Sequence, residues 1–261
     1  GELFPERRIS TRVFLHSSSQ FSLAKSILVN IQHNTVCPLD FKLDERKISE
    51  RKQLLNQSPP CSSLELCTSG STGTPKIVPL SKSNLYEGAA AIANSLKLTD
   101  SDIYLNVMPL FHIGGIMSML SCLISGGTMI CVDTCDSFYD ALSDTQFRPT
   151  WVYAAPTIYQ LILDNHRTSE HSLRLMRSGA ANLSHTLALQ LREKFSCPII
   201  PTYSMTECMP IASHSVHYDL SNPGTVGKAC GCDIRMYRDN DLFESGHGEV
   251  CVKGKQLMHQ Y

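Results

Sequence analysis

The sequence has no cysteine pair at CxxC spacing, no internal repeat and no apolar run long enough to span a bilayer, and no secretory signal opens it. Each absence removes a class of protein. Cys131 and Cys135 are separated by three residues and Cys230 and Cys232 by one, without matching histidine spacing, so a structural zinc site is not expected. The apolar stretch 113–124 is too short for a transmembrane segment, and Gly114, Gly115, Gly126 and Gly127 punctuate its ends, so it reads as a core helix. Without a secretory signal the eleven cysteines read as reduced, mostly buried thiols, in a cytoplasmic or organellar rather than a secreted protein. Charge of either sign is not in excess. Lys and Arg number 23 against 24 Asp and Glu, so no nucleic acid or other polyanionic partner is indicated. The chain opens on Gly1 rather than Met and stops at Tyr261 without a polar tail, and the expectation is a segment of something longer.

What is present is a rhythm. The 261 residues suffice for one large domain or two small ones. Residues 14–31 carry apolar side chains at helical spacing, residues 40–57 are charged, and Ser58-Pro59-Pro60 breaks the pattern. From Glu65 onward strand and helix alternate. Residues 64–68 and 77–80 read as strands, followed by a helix over 84–98 that Ser81 or Ser83 can cap. Strands at 103–108, 128–132, 151–155, 173–176 and 198–203 alternate with helices at 113–124, 156–165 and 185–195. After Asn222 the texture turns to antiparallel β, with a turn at Asp239-Asn240-Asp241. The fold class this predicts is α/β: layered, largely parallel sheets flanked by helices, with a small C-terminal antiparallel β subdomain. The predicted division is a poorly defined segment over 1–63, an α/β core over 64–221 and the start of the β subdomain over 222–261.

The densest chemistry lies in Thr68-Ser69-Gly70-Ser71-Thr72-Gly73-Thr74-Pro75-Lys76. Glycines admit close backbone approach, main-chain N–H groups and hydroxyls supply donors, and Lys76 supplies a point charge, a combination suited to phosphate. It is not a Walker loop, because Pro75 precedes the lysine and Ile77 follows it where Gly and Ser or Thr are required. The loop is similar to the phosphate loop of the adenylate-forming enzymes, a superfamily of acyl-CoA synthetases, luciferases and the adenylation domains of peptide synthetases. The resemblance runs from about Glu65 to Tyr261. Tyr203-Ser204-Met205-Thr206-Glu207 resembles that family's Y-G-M-T-E block, Ser178-Gly179-Ala180-Ala181 its S-G-G-A segment, and Phe111-His112-Ile113-Gly114-Gly115 the F-H-x-x-G block of its acyl- and aryl-CoA synthetases. Pro223-Gly224-Thr225-Val226-Gly227-Lys228 and residues 248–254 resemble two further, structural segments.

The resemblance implies ATP and Mg²⁺ as cofactors, a small-molecule carboxylic acid as substrate, and coenzyme A or a carrier pantetheine as acceptor, with an acyl-carrier domain as a possible partner. It implies phosphate contacts from residues 68–74, Lys76 and Thr206, with Ser178, Gly179, Ala180, Ala181, Thr202, Tyr203, Ser204 and Met205 around the nucleotide. Glu207 would hold Mg²⁺ and His112 would gate or position the carboxylate, so Lys76, His112, Thr206 and Glu207 are the candidate catalytic residues. Amino-acid-activating relatives place an Asp near His112 to meet the substrate ammonium. No Asp occurs between Met108 and Met117, and Phe111, Ile113 and Ile116 suggest a fatty or other apolar acid instead. Taken singly, each of those apolar residues is equally read as core packing.

There are departures. Ser204 and Ala180 replace glycines, Ile77 and Gln260 stand where glycine is usual, and Lys82 stands where histidine is common. The chain also stops before the family's ribose-binding T-G-D block and its C-terminal lysine domain, so this segment alone is expected to be inactive or weak. A nucleotide- or acyl-binding remnant without catalysis, or the adenylation domain of a peptide- or polyketide-synthetase-like protein, stands as the alternative.

Overall fold

The computed structural model describes residues 11–57, 62–68, 75–165, 167 and 170–261. The first elements are β1 (Arg12–His16), α1 (Gln20–Asn30), β2 (Thr35–Leu39), α2 (Glu45–Leu55), β3 (Leu64–Thr68) and β4 (Lys76–Leu80). There follow α3 (Lys82–Leu96), β5 (Ile103–Asn106), α4 (Ile113–Ile124), β6 (Thr128–Cys131), α5 (Cys135–Ser143) and β7 (Trp151–Ala154). Next come α6 (Pro156–Asp164), β8 (Leu175–Ser178), α7 (His185–Phe195), β9 (Ile199–Tyr203), β10 (Ala212–Ser213) and β11 (Lys228–Ala229). The chain ends in β12 (Asp233–Arg238), β13 (Asp241–Phe243) and β14 (Glu249–Lys253).

Three sheets result. A four-stranded sheet runs β1-β2-β3-β4, with β4 antiparallel to β3 and the other pairs parallel. A seven-stranded sheet runs β11-β10-β9-β8-β7-β5-β6, and its five strands from β9 to β6 are parallel. A three-stranded antiparallel sheet, β13-β12-β14, comes last. This is the α/β architecture expected, with mixed, mostly parallel sheets and a small antiparallel one.

Local chemistry sets the helix starts. Ser81 and Asn84 form a reciprocal capping box at α3, and the Ser184 hydroxyl accepts from the Leu187 N–H at α7. The helical spacing over 14–31 is only partly realised. Residues up to His16 extend as β1 beside β2, and α1 starts at Gln20, where the Ser19 hydroxyl caps it by accepting from the Ser22 N–H. Strand β8 lies two residues later than the pattern suggested, because its register with Ala154 and Pro201 draws Ser178 into the ladder.

The central strands are buried on both faces, as crossover helices on both sides of a parallel sheet require. Tyr104, Trp151, Tyr153, Leu175 and Ile200 point to one core, shared with α1, α3, α4 and the four-stranded sheet. Leu105, Val152, Ala154, Met176 and Ile199 point to a second core, formed with α5, α6 and α7. Helix α4 is buried from Gly114 to Cys122, as an all-round apolar helix must be, and none of the helices among the described residues is long and apolar enough to cross a membrane.

Candidate functional site

Because β5, β7, β8 and β9 are parallel, their carboxyl ends lie along one edge of the sheet, where ligands collect in open α/β folds. The segments leaving that edge are 107–112, 155, 179–183 and 204–206. They enclose a cavity of about 430 Å³. Of the residues singled out in the sequence, His112, Ala180, Ser204, Met205 and Thr206 line it. Met108, Ile113, Ile158 and Met209 add apolar wall, and Tyr153 and Gly114 complete one side.

Gly114 explains how α4 comes so close to the sheet. A Cβ there would lie 2.7 Å from the Tyr153 ring, and one on Gly179 would lie 2.7 Å from the Tyr153 hydroxyl. Both positions therefore exclude larger side chains unless the ring moves. Burial pushes the Tyr153 phenol above its ordinary range, partly opposed by the Arg177 charge and the Ser204 hydroxyl. His112 opens to solvent at the rim and stands at the N-cap of α4 without a side-chain capping bond. Surrounding protein lowers its pKa, with Asp40 acting to raise it and Arg51 to lower it further. Its ring is therefore neutral at physiological pH.

The expected phosphate side is built from three distant segments. Thr68 and Lys76 face each other across the β3–β4 ladder. Ser69, Gly70, Ser71, Thr72, Gly73 and Thr74 lie outside the described residues. The Lys76 ammonium sits 4.7 Å from the centre of the Tyr261 ring, and the Tyr261 hydroxyl donates to Glu207 Oε1 at 2.6 Å. The Met258 N–H donates to the Glu207 carbonyl at 2.9 Å, and Met205 and Cys208 exchange backbone hydrogen bonds that close a tight turn around Thr206 and Glu207. A lysine and an acid thus flank one aromatic ring beside the cavity wall at Thr206.

Other predicted residues go elsewhere. The Thr202 hydroxyl is spent on structure, donating to the Ala212 carbonyl at 2.6 Å and accepting from Arg177 Nη2 at 3.0 Å. Thr202, Ser178 and Ala181 line a separate, much smaller crevice with Tyr218 and Val226. Tyr203 is partly exposed at the end of β9. Ala180 takes a left-handed backbone conformation, φ 67°, which favours glycine and accounts for the glycine usual there.

Sequence reasoning missed Tyr153, Arg177 and Tyr261. Their signals were faint. Arg177 is a charge that directly follows the apolar pair Leu175-Met176, and Tyr153 is a hydroxyl-bearing aromatic within a buried strand. Which face each takes is decided by register, which one sequence does not state.

Comparison with known proteins supplies an independent view. The family described as AMP-binding enzyme matches residues 38–261. An oxalate–CoA ligase of Arabidopsis thaliana is 31% identical over 260 residues, covering 89% of this chain and 49% of that protein. A 2-succinylbenzoate–CoA ligase of Bacillus subtilis is 32% identical over 198 residues, covering 74% and 40%. Among solved structures, o-succinylbenzoate coenzyme A synthetase from Bacillus subtilis, in complex with ATP and magnesium ion, superposes with a TM-score of 0.79. That likeness covers 97% of this chain and 62% of that one at 23% identity, and it speaks to the fold. The chain thus spans about half the length of the curated relatives it matches.

Proposed function

The chain belongs to the AMP-binding enzyme family, and from that premise we propose that the protein carrying it activates a carboxylic acid with ATP. The acid oxygen attacks the α-phosphorus and pyrophosphate leaves; the thiol of coenzyme A or of a carrier pantetheine then attacks the acyl carbon of the acyl-adenylate, giving up its proton and releasing AMP as the thioester forms. The observation that carries this reading is the meeting of Lys76 and Glu207 across the Tyr261 ring, beside a cavity walled by His112 and Thr206. The cation and the acid suit the polyphosphate end of the nucleotide, and the cavity suits the acid. Phosphoryl chemistry of this kind rests on positioning and charge neutralisation.

The donor set fits magnesium brought in on a nucleotide. Mg²⁺ takes one or two carboxylates and fills its shell with phosphate oxygens and water. Glu207 Oε1 accepts from Tyr261, leaving Oε2 for a cation, and the described residues hold no cluster of three acidic, His or Cys groups that would bind a metal unaided. When bound, the ion would neutralise phosphate charge. Lys76 and Thr206 would hold phosphate oxygens, and neutral His112 would orient the incoming carboxylate at the rim.

The walls Ile113, Ile158, Met205 and Met209 favour an acid with an apolar body. A long fatty chain draws support from those walls alone, whereas the two relatives named above are ligases of acids with two carboxylates. The reading as a peptide-synthetase adenylation domain is disfavoured, because none of the described residues lining the cavity is acidic and an ammonium there would lack a counter-charge among them.

The test is ATP–pyrophosphate exchange by the protein at its full natural length across a panel of acids. Acid-dependent exchange is expected, and E207Q should lower it by roughly 10²–10³-fold, the scale of losing one charge-stabilising group. ATP binding without exchange for any acid would instead favour a nucleotide-binding remnant.

A further inference from the structure

Arg177 is the one buried guanidinium among the described residues whose partners include no acid. Arg12 meets Glu65 at 2.7 Å, and Arg174 meets Asp102 at 2.7 Å. Arg177 is fully buried on β8, donates from Nη2 to Thr202 Oγ1 at 3.0 Å, and has no hydrogen-bond partner for Nε or Nη1 among the described residues. The groups acting on it electrostatically are Tyr153, Cys230, Tyr104 and Tyr159, with no carboxylate among them. A guanidinium does not shed its proton in a protein, so burying one without an acid beside it is strongly unfavourable.

That charge has a direction. Arg177 is in register with Tyr153 across β7 and β8, and its guanidinium lies 5.2 Å from the Tyr153 ring centre. Tyr153 is a wall of the cavity. Among the described residues, none of the others lining it carries a charge at neutral pH, since none is Lys, Arg, Asp or Glu and burial lowers the pKa of His112. An apolar cavity backed by one unpaired cation holds a positive potential that its own walls do not cancel.

We propose that the cavity selects a carboxylic acid bearing a second negative group, a dicarboxylate, and that Arg177 sets the preference from behind the Tyr153 wall. The inference rests on the reading of this cavity as the acid site. Arg177 is a specificity-setting residue here and does not touch the reacting atoms. Two opposite charges roughly 10 Å apart at an effective dielectric near 20 interact strongly enough to change binding roughly tenfold.

The experiment compares succinate and oxalate with butyrate and acetate, using the protein at full natural length and its R177M variant. In pyrophosphate exchange, the unaltered protein should prefer the diacids in kcat/KM, and R177M should lower the diacid-to-monoacid ratio about tenfold. The ratio is the control for folding, since lost folding scales both acids alike. R177M should also melt no lower than the parent, because an apolar replacement for an uncompensated buried charge is neutral or stabilising. An unchanged ratio, or a parent that prefers butyrate to succinate, overturns the proposal. Calorimetry of succinate and butyrate binding makes the same comparison without turnover. Succinate binding that R177M weakens selectively supports the proposal even where exchange is silent and the catalytic reading fails; equal affinities in both proteins overturn it even where exchange is active.

Discussion

Ala180 shows what a single side chain does to the site. Its φ of 67° belongs to the left-handed region, where a Cβ crowds the following carbonyl and costs about 1–2 kcal/mol. The strain sits on the cavity wall, where the turn out of β8 must bend sharply. A180G should therefore raise stability by about 1 kcal/mol, less the greater unfolded-state entropy of glycine, as read from denaturant midpoints. An equal or lower midpoint would mean that the alanine methyl packs well enough to offset the strain. At this scale the motif residues were legible. His112, Ser204, Met205 and Thr206 converge on one cavity because each follows a strand that ends at the same edge. Tyr153 and Arg177 were not legible, because their meaning lies in facing each other across a ladder rather than in any local pattern.

Among the elements, alternation of strand and helix after Glu65 was readable because the parallel strands there are short, largely apolar runs bounded by caps or turns. The opening segment was harder. Arg12 stands in β1 as the partner of Glu65 in β3, a contact between residues far apart in the chain that no periodicity announces. The opposite edge of the large sheet is pinned by Asp102. Its carboxylate accepts from Arg174 Nε and Nη2, from Thr150 Oγ1 and from the Thr99 N–H. Burial pushes its carboxyl up, but these hydrogen bonds outweigh that and hold it below the usual carboxylate range. A folded-state pKa below the unfolded one adds stability above pH about 4, which is lost as pH falls from about 5 through the folded value. D102N should remove that part of the acid dependence and cost about 2 kcal/mol at pH 7 in urea unfolding. An unaltered acid limb in D102N would assign the acid sensitivity to other carboxylates.

At the level of the whole molecule, the last antiparallel sheet was readable, but the split of the earlier strands between two sheets was not, since β3 and β5 look alike as strings and only packing sends them to different sheets. One residue ties the ends of this assembly together. Asn84 on α3 donates from Nδ2 to the carbonyls of Lys255 and Leu257 at 2.7 and 2.8 Å, and its Oδ1 accepts from the Ser81 N–H. It clasps the segment that brings Met258 and Tyr261 to Glu207. N84A should cost about 2 kcal/mol and speed hydrogen exchange at the Met258 amide, while amides in β7 and β8 change only with global stability. Unchanged Met258 exchange would show that the segment is held by other contacts. A last consequence follows from Trp151, the sole tryptophan of the sequence. It is fully buried, stacked on Tyr104 with ring centres 4.3 Å apart, and two residues from Tyr153 on the same strand face. Its ultraviolet emission thus arises from a single known place behind the cavity, giving the native chain an optical reporter that needs no added label.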